Sequence, residues 1–95
     1  MATYIILSRF SATAFTDPKD IKKLAKTVSR KIKKECPDIN WKTSFATLGR
    51  FDVVDIVETA DPTQIEKAAM IIQAYGHSTT ETLTGTPWDD FLERL

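Results

Sequence analysis

The chain has 95 residues, of which 42% are hydrophobic and 27% are charged, and its formal net charge at pH 7 is zero. This length predicts one domain, residues 1–95, because a small domain buries a lower fraction of its surface and two cores would be too small to be stable. The neutral balance implies neither a basic nucleic-acid tail nor an acidic disordered segment.

The neutral total conceals a division of charge between the two halves of the chain. Residues 1–50 contain 11 Lys and Arg against 4 acids, whereas residues 51–95 contain 2 against 9. Such a distribution either steers an anionic ligand or lets copies of the chain associate head to tail.

The cysteine content and the N-terminus indicate the compartment. Cys36 is the single cysteine and has no partner for an internal disulfide, which is typical of a reducing environment. The first ten residues lack a basic lead and a signal-peptide core, and no apolar run approaches the length of a membrane span. We therefore expect a cytoplasmic protein that does not associate with membranes.

The first predicted elements are a strand and a helix. Thr3–Phe10 is rich in β-branched and aromatic residues, as strands are. Asp17 followed by Pro18 is typical of a helix start, where the side chain caps free amides and proline occupies the first turn. Pro37 disfavours helical geometry in the residue before it, so this helix is expected to end by Cys36.

A hairpin is predicted next. Trp41–Leu48 is a strand-like run in which one face carries Trp41, Thr43, Phe45 and Thr47, and Phe51–Glu58 is a second such run. Gly49 and Arg50 lie between them, and glycine in the first position is what a two-residue type II′ turn requires.

The second half repeats the helix signals. Asp61 stands before a proline, Gln64 is placed to complete a capping box, and Gly76 stands at the expected helix end. A threonine-rich strand at 77–84 and a short helix at 86–95 complete the chain.

The order β-α-β-β-α-β plus a C-terminal helix predicts an α+β fold, a ferredoxin-like sandwich with an antiparallel sheet. The segments DPKDIKKLA at 17–25 and DPTQIEKAA at 61–69 agree with two similar halves, although any capped amphipathic helix tends to look this way. The first and third strands are the most apolar, and we expect them in the centre of the sheet.

The third strand is apolar on both faces. Val53 and Val57 alternate with Val54 and Ile56, yet two helices cover only one face of a four-stranded sheet. Each large side chain left in water would forfeit about 1.5–3 kcal/mol. We therefore expect a second copy to cover the other face in a homodimer, with a bound apolar ligand as the alternative and larger rings of dimers left open.

The segments MATYIILSRF, LGRFDVVDIVE, GHSTTETL and TPWDDFLERL resemble the GYD domain family over nearly the whole chain. The family motif of Gly, a variable residue, Tyr and Asp stands here as Gly49, Arg50, Phe51 and Asp52, so the tyrosine phenol is absent. The resemblance implies a small prokaryotic relative of the dimeric α+β barrels, without a settled activity. For Asp52 we expect a structural role, accepting backbone amides that hold the turn.

Asp55 is the most informative acid. It shares a strand face with Phe51, Val53 and Val57, where an unpaired carboxylate is expensive and its pKa tends to rise. As a functional group it is a general base or a ligand anchor. As a structural group it pairs with Arg9 or with a cation of a partner subunit.

His77 and Glu81 are predicted on one face of the last strand, where a histidine and a carboxylate together can transfer protons near neutral pH. The alternative for His77 is a local helix cap or a surface residue. Cys36 ends a helix whose dipole opposes a thiolate, so inert packing is favoured over a nucleophilic role.

Other classes of site find no support in the residues. There is no cysteine pair, no HExxH and no glycine-rich phosphate loop, so we expect neither a metal nor a cofactor. Eight of the 13 basic residues lie at 19–34, which is typical of a solvated lysine-rich helix face. The strands lack the paired aromatics of RNA-recognition domains, which argues against nucleic-acid binding.

The leading hypothesis is a homodimeric α+β barrel that binds a small organic molecule between its sheet and its helices. The polar candidates for that site are Tyr4, Arg9, Asp55, His77 and Glu81. One alternative is a cofactor-independent enzyme, because similar barrels include small monooxygenases and isomerases. Another is a regulatory module that senses a ligand and changes its assembly.

Overall fold

The computed structural model describes all 95 residues, and its elements follow the predicted order. They are β1 (Ala2–Phe10), α1 (Asp20–Glu35), β2 (Asn40–Ala46), β3 (Val53–Thr59), α2 (Pro62–Gly76), β4 (Ser78–Gly85) and α3 (Trp88–Glu93). The strands form one antiparallel sheet in the order β2-β3-β1-β4. The ferredoxin-like α+β fold and the central position of the two most apolar strands are therefore confirmed.

The hydrophobic core lies between α2 and the centre of the sheet, and Ile32 of α1 and Cys36 complete it. Ile6 on β1 and Val57 on β3 are completely buried and cluster with Ile65 and Ile72 of α2. Burying a side chain of this size stabilises the fold by about 1.5–3 kcal/mol. The first helix, α1, packs along α2, and none of its Cα atoms lies within 8 Å of a strand Cα atom. This backbone separation accompanies the cleft described below.

The start of α1 lies later than the sequence pattern predicts. The Asp17 carboxylate accepts the amide of Lys19 at 2.9 Å in the turn before the helix, but the helix cap is Lys19, which has no side-chain cap bond. The Asp17 carbonyl accepts the amide of Asp20 in a tight turn, and the regular helix begins only at Asp20. The helix ends at Glu35 with Cys36 as its cap, as Pro37 requires.

The start of α2 follows the prediction only in part. The Asp61 side chain accepts both the amide and the hydroxyl of Thr63, at 3.0 and 2.6 Å. The capping box is wrong, because the Asp61 amide donates to the hydroxyl of Thr59 instead of to Gln64. The Gln64 side-chain oxygen is left buried without a partner.

The two-residue turn predicted between β2 and β3 is wrong, because the connection is a six-residue loop at 47–52. Thr47 closes this loop on itself: its amide donates to the Asp52 carbonyl at 3.0 Å and its hydroxyl to the Phe51 carbonyl at 2.7 Å. Gly49 has a φ of 103°, a conformation that side chains other than glycine rarely adopt.

The end of α2 differs from the expected glycine cap. Gly76 is the last helical residue, and the left-handed cap is His77, with φ 48° and ψ 49°. A Cβ at Gly76 would lie 3.4 Å from Cγ2 of Val28 on α1. A Cβ at that distance would make an ordinary van der Waals contact, so Gly76 marks the contact between α2 and α1, and His77 reverses the chain into β4.

Candidate functional site

A cleft of about 800 Å³ opens between α1 and the sheet. Ile21, Leu24 and Val28 line it from the helix, and Phe10 and Val53 line it from the strands. Cα atoms of α2 lie within 8 Å of β1, β3 and β4, whereas those of α1 come that close to α2 but to no strand, and the cleft occupies the space that this leaves beside α1. Its volume lies within the range typical of small-molecule sites, about 300–1,000 Å³.

A chain of hydrogen bonds ends on a carboxylate that lines this cleft. Nε1 of Trp41 donates to Oγ of Ser44 at 2.9 Å, and Ser44 Oγ donates to Oδ1 of Asp55 at 2.5 Å. Asp55 is 6% exposed. Burial raises the pKa of this carboxyl. The side chains of Ser44 and Trp41 oppose that rise, Ser44 by its direct hydrogen bond and Trp41 from behind Ser44 in the same chain of hydrogen bonds.

The second oxygen of this carboxylate is free. Oδ2 of Asp55 accepts no hydrogen bond from the protein, and it is not among the fully enclosed side-chain atoms that lack a partner. Oδ2 therefore retains access to the cleft, and an incoming donor can reach it.

A second polar group without a partner lies beside Asp55. Ser8 is 3% exposed, and its hydroxyl makes no hydrogen bond. Ser8 is opposite Val53 in the β1–β3 pairing, and Asp55 is opposite Ile6. Ser8 and Asp55 are thus diagonal neighbours on one face, with a typical separation of about 7–8 Å.

The sequence pattern missed Ser8, Ser44 and Trp41. Strict alternation along β2 would place Trp41 and Ser44 on opposite faces. A register shift between Trp41 and Thr43 brings both to the face that carries Asp55. Such a bulge re-aims the side chains that follow it, and no local signal in the sequence marks it.

The structure does not bring the five predicted polar candidates together. Asp55 lines the cleft, and Tyr4 is half-buried beside the core. Arg9 and Glu81 are exposed on the opposite face of the sheet, and Arg9 makes no ion pair with Asp55. His77 is exposed ahead of β4 and lines a separate shallow depression, so it forms no pair with Glu81.

No group of three or more His, Cys, Asp or Glu is arranged to hold a metal ion. Cys36 lines the cleft as a buried free thiol, and burial is the main cause that raises its pKa. A thiol with a raised pKa is a poor nucleophile. None of the helices is both long and apolar enough to cross a lipid bilayer.

The family model described as GYD domain matches residues 4–95. The chain belongs to the GYD domain family. A relative from Thermus thermophilus, named glutamine synthetase and cystathionine beta-lyase binding protein, is 27% identical over 99 residues, which span 100% of this chain and 99% of the relative. A crystal structure of a Thermus thermophilus protein is similar with a TM-score of 0.59 at 20% identity, covering 92% of this chain and 95% of that one, and shows the shared fold.

The GYD motif of this chain connects the hairpin loop to β1. The Asp52 amide donates to the carbonyl of Ser8 at 2.8 Å, and Oδ2 of Asp52 accepts the amide of Phe10 at 2.9 Å. Phe51, which replaces the motif tyrosine, is half-buried with the Arg50 guanidinium 5.8 Å from its ring centre. In this GYD domain the motif aspartate accepts a distant strand amide, in addition to closing its own loop.

Proposed function

We propose that this GYD-domain protein is a homodimer in which each subunit binds a small organic molecule in the cleft between α1 and the sheet. The observation that carries the proposal is the pair of unpartnered polar groups, Asp55 Oδ2 and the Ser8 hydroxyl, beside mainly apolar walls. A few convergent polar groups in an apolar concavity are typical of ligand sites.

The energetics support a bound molecule. A buried polar group without a hydrogen bond costs about 1–3 kcal/mol. The Ser8 hydroxyl, on a residue that lines the cleft, is such a group, and its neighbour Asp55 has one carboxylate oxygen without a protein donor. A ligand that bonds to both would offset these costs while its apolar part covers the side chains of α1.

The open face of the sheet supports a second copy as the partner. By strand pairing it carries the apolar residues Ile5, Leu7, Phe45, Val54, Ile56 and Leu83. The same face carries both signs of charge, on Arg9 and Lys42 and on Glu58 and Glu81. Because positive and negative groups are mixed, a copy of this surface can meet itself without net repulsion.

Mass spectrometry tests both parts of the proposal. Native spectra are expected to show twice the 10.7 kDa chain mass plus bound material, and denaturing chromatography should release a discrete small molecule. Ala25→Trp, which fills the cleft, is expected to lose the bound species, whereas Ala60→Trp on the exposed β3–α2 link retains it. Empty protein in every preparation, with no compound raising the melting temperature, would contradict the ligand site.

Binding of a partner enzyme is a second candidate function. It is supported by the name of the Thermus thermophilus relative and by the exposed apolar side chains of α3, where Trp88 is 69% exposed and stacks on Phe91. Exposed aromatic groups of this kind are enriched at protein interfaces.

The partner function is tested in a surface-binding assay with purified glutamine synthetase and cystathionine beta-lyase from the organism that produces this chain. Trp88→Ala is expected to weaken the complex. Met70→Ala is the matched control, because Met70 on α2 is also 69% exposed. Equal loss with both variants, or no complex with either enzyme, counts against this function.

A further inference from the structure

We propose that the cleft selects a mainly apolar molecule bearing a protonated amine, which binds the carboxylate of Asp55 and the hydroxyl of Ser8. This inference rests on the proposed ligand site and specifies the chemical class of its ligand. It follows from the charges and hydrogen bonds along the cleft.

The Asp55 carboxylate has no counter-charge in the protein. The two ion pairs of the structure join Lys42 to Glu58 and Lys67 to Glu35, both away from this group. A buried carboxylate is stable when a cation or several donors approach it. Here a single protein hydroxyl donates to it directly.

The donors near this carboxylate are already used. The Ser44 hydroxyl hydrogen is directed to Asp55 Oδ1, and the indole N–H of Trp41 is directed to Ser44. Neither side chain has another hydrogen to offer Oδ2. The missing donor must come from outside the protein, and an ammonium group is the donor that also supplies the missing positive charge.

Ser8 fits the same head group. An ammonium has three hydrogens, and one can bind Asp55 Oδ2 while another binds the Ser8 oxygen once that enclosed hydroxyl rotates toward the cleft. The two residues are diagonal neighbours on one sheet face, at a typical separation of about 7–8 Å before the length of the side chains is considered. Side chains that start at this separation and share one sheet face can converge on a single nitrogen.

The remaining charges of the cleft favour a cation over an anion. Asp52 and Asp55 are the acids among the lining residues, and Lys33 is the base. Lys33 is exposed on α1, where solvent and salt screen its charge, whereas Asp55 is buried. An amine therefore meets a net negative cleft, and the apolar side chains of Leu24, Val28 and Ile32 cover its hydrocarbon part.

Three probes with one carbon skeleton test the inference: 4-phenylbutylamine, 4-phenylbutan-1-ol and 4-phenylbutanoate. Binding is followed in nitrogen-15 NMR spectra through the indole N–H signals. Trp41 reports on the cleft, and Trp88, exposed on α3, is the internal control. The amine is expected to shift the Trp41 signal and to bind at least about tenfold more tightly than the alcohol, equivalent to about 1.4 kcal/mol.

Variants connect this selectivity to named groups. Asp55→Asn is expected to bring the amine to the affinity of the alcohol, and Ser8→Ala to weaken the amine more than the alcohol. Asp38→Asn, which removes an equal charge from an exposed link, should leave selectivity unchanged.

The possible failures are distinguishable. The amine class is overturned if the alcohol or the carboxylate shifts the Trp41 signal and binds as tightly as the amine. It is also overturned if Asp55→Asn still binds the amine more tightly than the alcohol by the same factor as the parent. In both cases the ligand cleft stands. No shift of Trp41 with any of the three probes overturns the cleft itself.

Discussion

The carboxylate of Asp52 accepts the backbone amide of Phe10 at 2.9 Å, across 42 residues of sequence. The Asp52 amide also donates to the carbonyl of Ser8. These two bonds extend the pairing of β1 with the hairpin beyond the last regular residue of β3. They also hold the loop at 47–52 beside the mouth of the cleft, which Asp52 lines.

Removing this carboxylate is expected to destabilise the fold. Asp52→Ala leaves the Phe10 amide without its partner, which should lower the free energy of unfolding by about 1–3 kcal/mol. Asp52→Asn should lower it less, because an amide oxygen still accepts. Urea denaturation measures both, with Asp38→Ala, an exposed acid, as the control. Equal stability of the alanine variant and the parent would refute the structural role.

Gly49→Ala is expected to lower the free energy of unfolding by about 1–3 kcal/mol, because its φ of 103° is strained for any residue with a Cβ. A Cβ there would meet no atom within 4 Å, so crowding is not the cause. Arg50→Ala in the same loop is the control and should leave the free energy of unfolding nearly unchanged. Chemical denaturation that shows no difference between the two variants contradicts the backbone explanation.

Asp55→Asn is expected to raise the melting temperature at neutral pH. Burial raises the pKa of this carboxyl in the folded protein above its ordinary value of 3.8, so ionisation at neutral pH costs stability. That cost is absent below the ordinary pKa and develops as the pH rises through the raised value. The increase in melting temperature caused by Asp55→Asn should therefore become smaller as the pH falls toward 3.8. A gain that is independent of pH would show that another property of the variant is responsible.

Asp61 is expected to show the opposite pH dependence. Its hydrogen bonds with the Thr63 hydroxyl and amide lower the pKa of this carboxyl in the folded state. Its stabilising contribution is then complete above the ordinary value of 3.8 and is lost as the pH falls through the lowered value. Asp61→Ala should thus lower the melting temperature at neutral pH, and the difference should narrow in strong acid. Circular dichroism melts over a pH series provide the measurement.

Val54→Glu is expected to convert a dimer to a folded monomer. Val54 lies on the open face, opposite Leu7 and Phe45 in the strand pairing. A glutamate there would leave a charge buried between two copies, while each large side chain covered in the dimer contributes about 1.5–3 kcal/mol. Sedimentation velocity measures the mass, and Met70→Glu on the exposed side of α2 is the control. Sedimentation of the parent protein at 10.7 kDa would contradict the proposed dimer.

Much of the fold was predictable because its signals are local. Apolar periodicity separates strands from helices, and Asp17, Asp61 and Pro37 mark helix ends within a few residues. The two most apolar strands lie in the centre, where each strand pairs with a neighbour along both of its edges. Asp55 was also predictable as an unusual group, since it is an acid on the apolar face of a central strand.

The site itself was decided by tertiary structure. The bulge that places Trp41 and Ser44 on the face of Asp55 depends on how β2 pairs with β3, and the unpartnered hydroxyl of Ser8 appears only when β1 joins the same sheet. The cleft depends on α1 packing against α2 instead of the strands. Each of these features depends on which strands and helices pack together in space. Local periodicity contains no information about which surfaces meet.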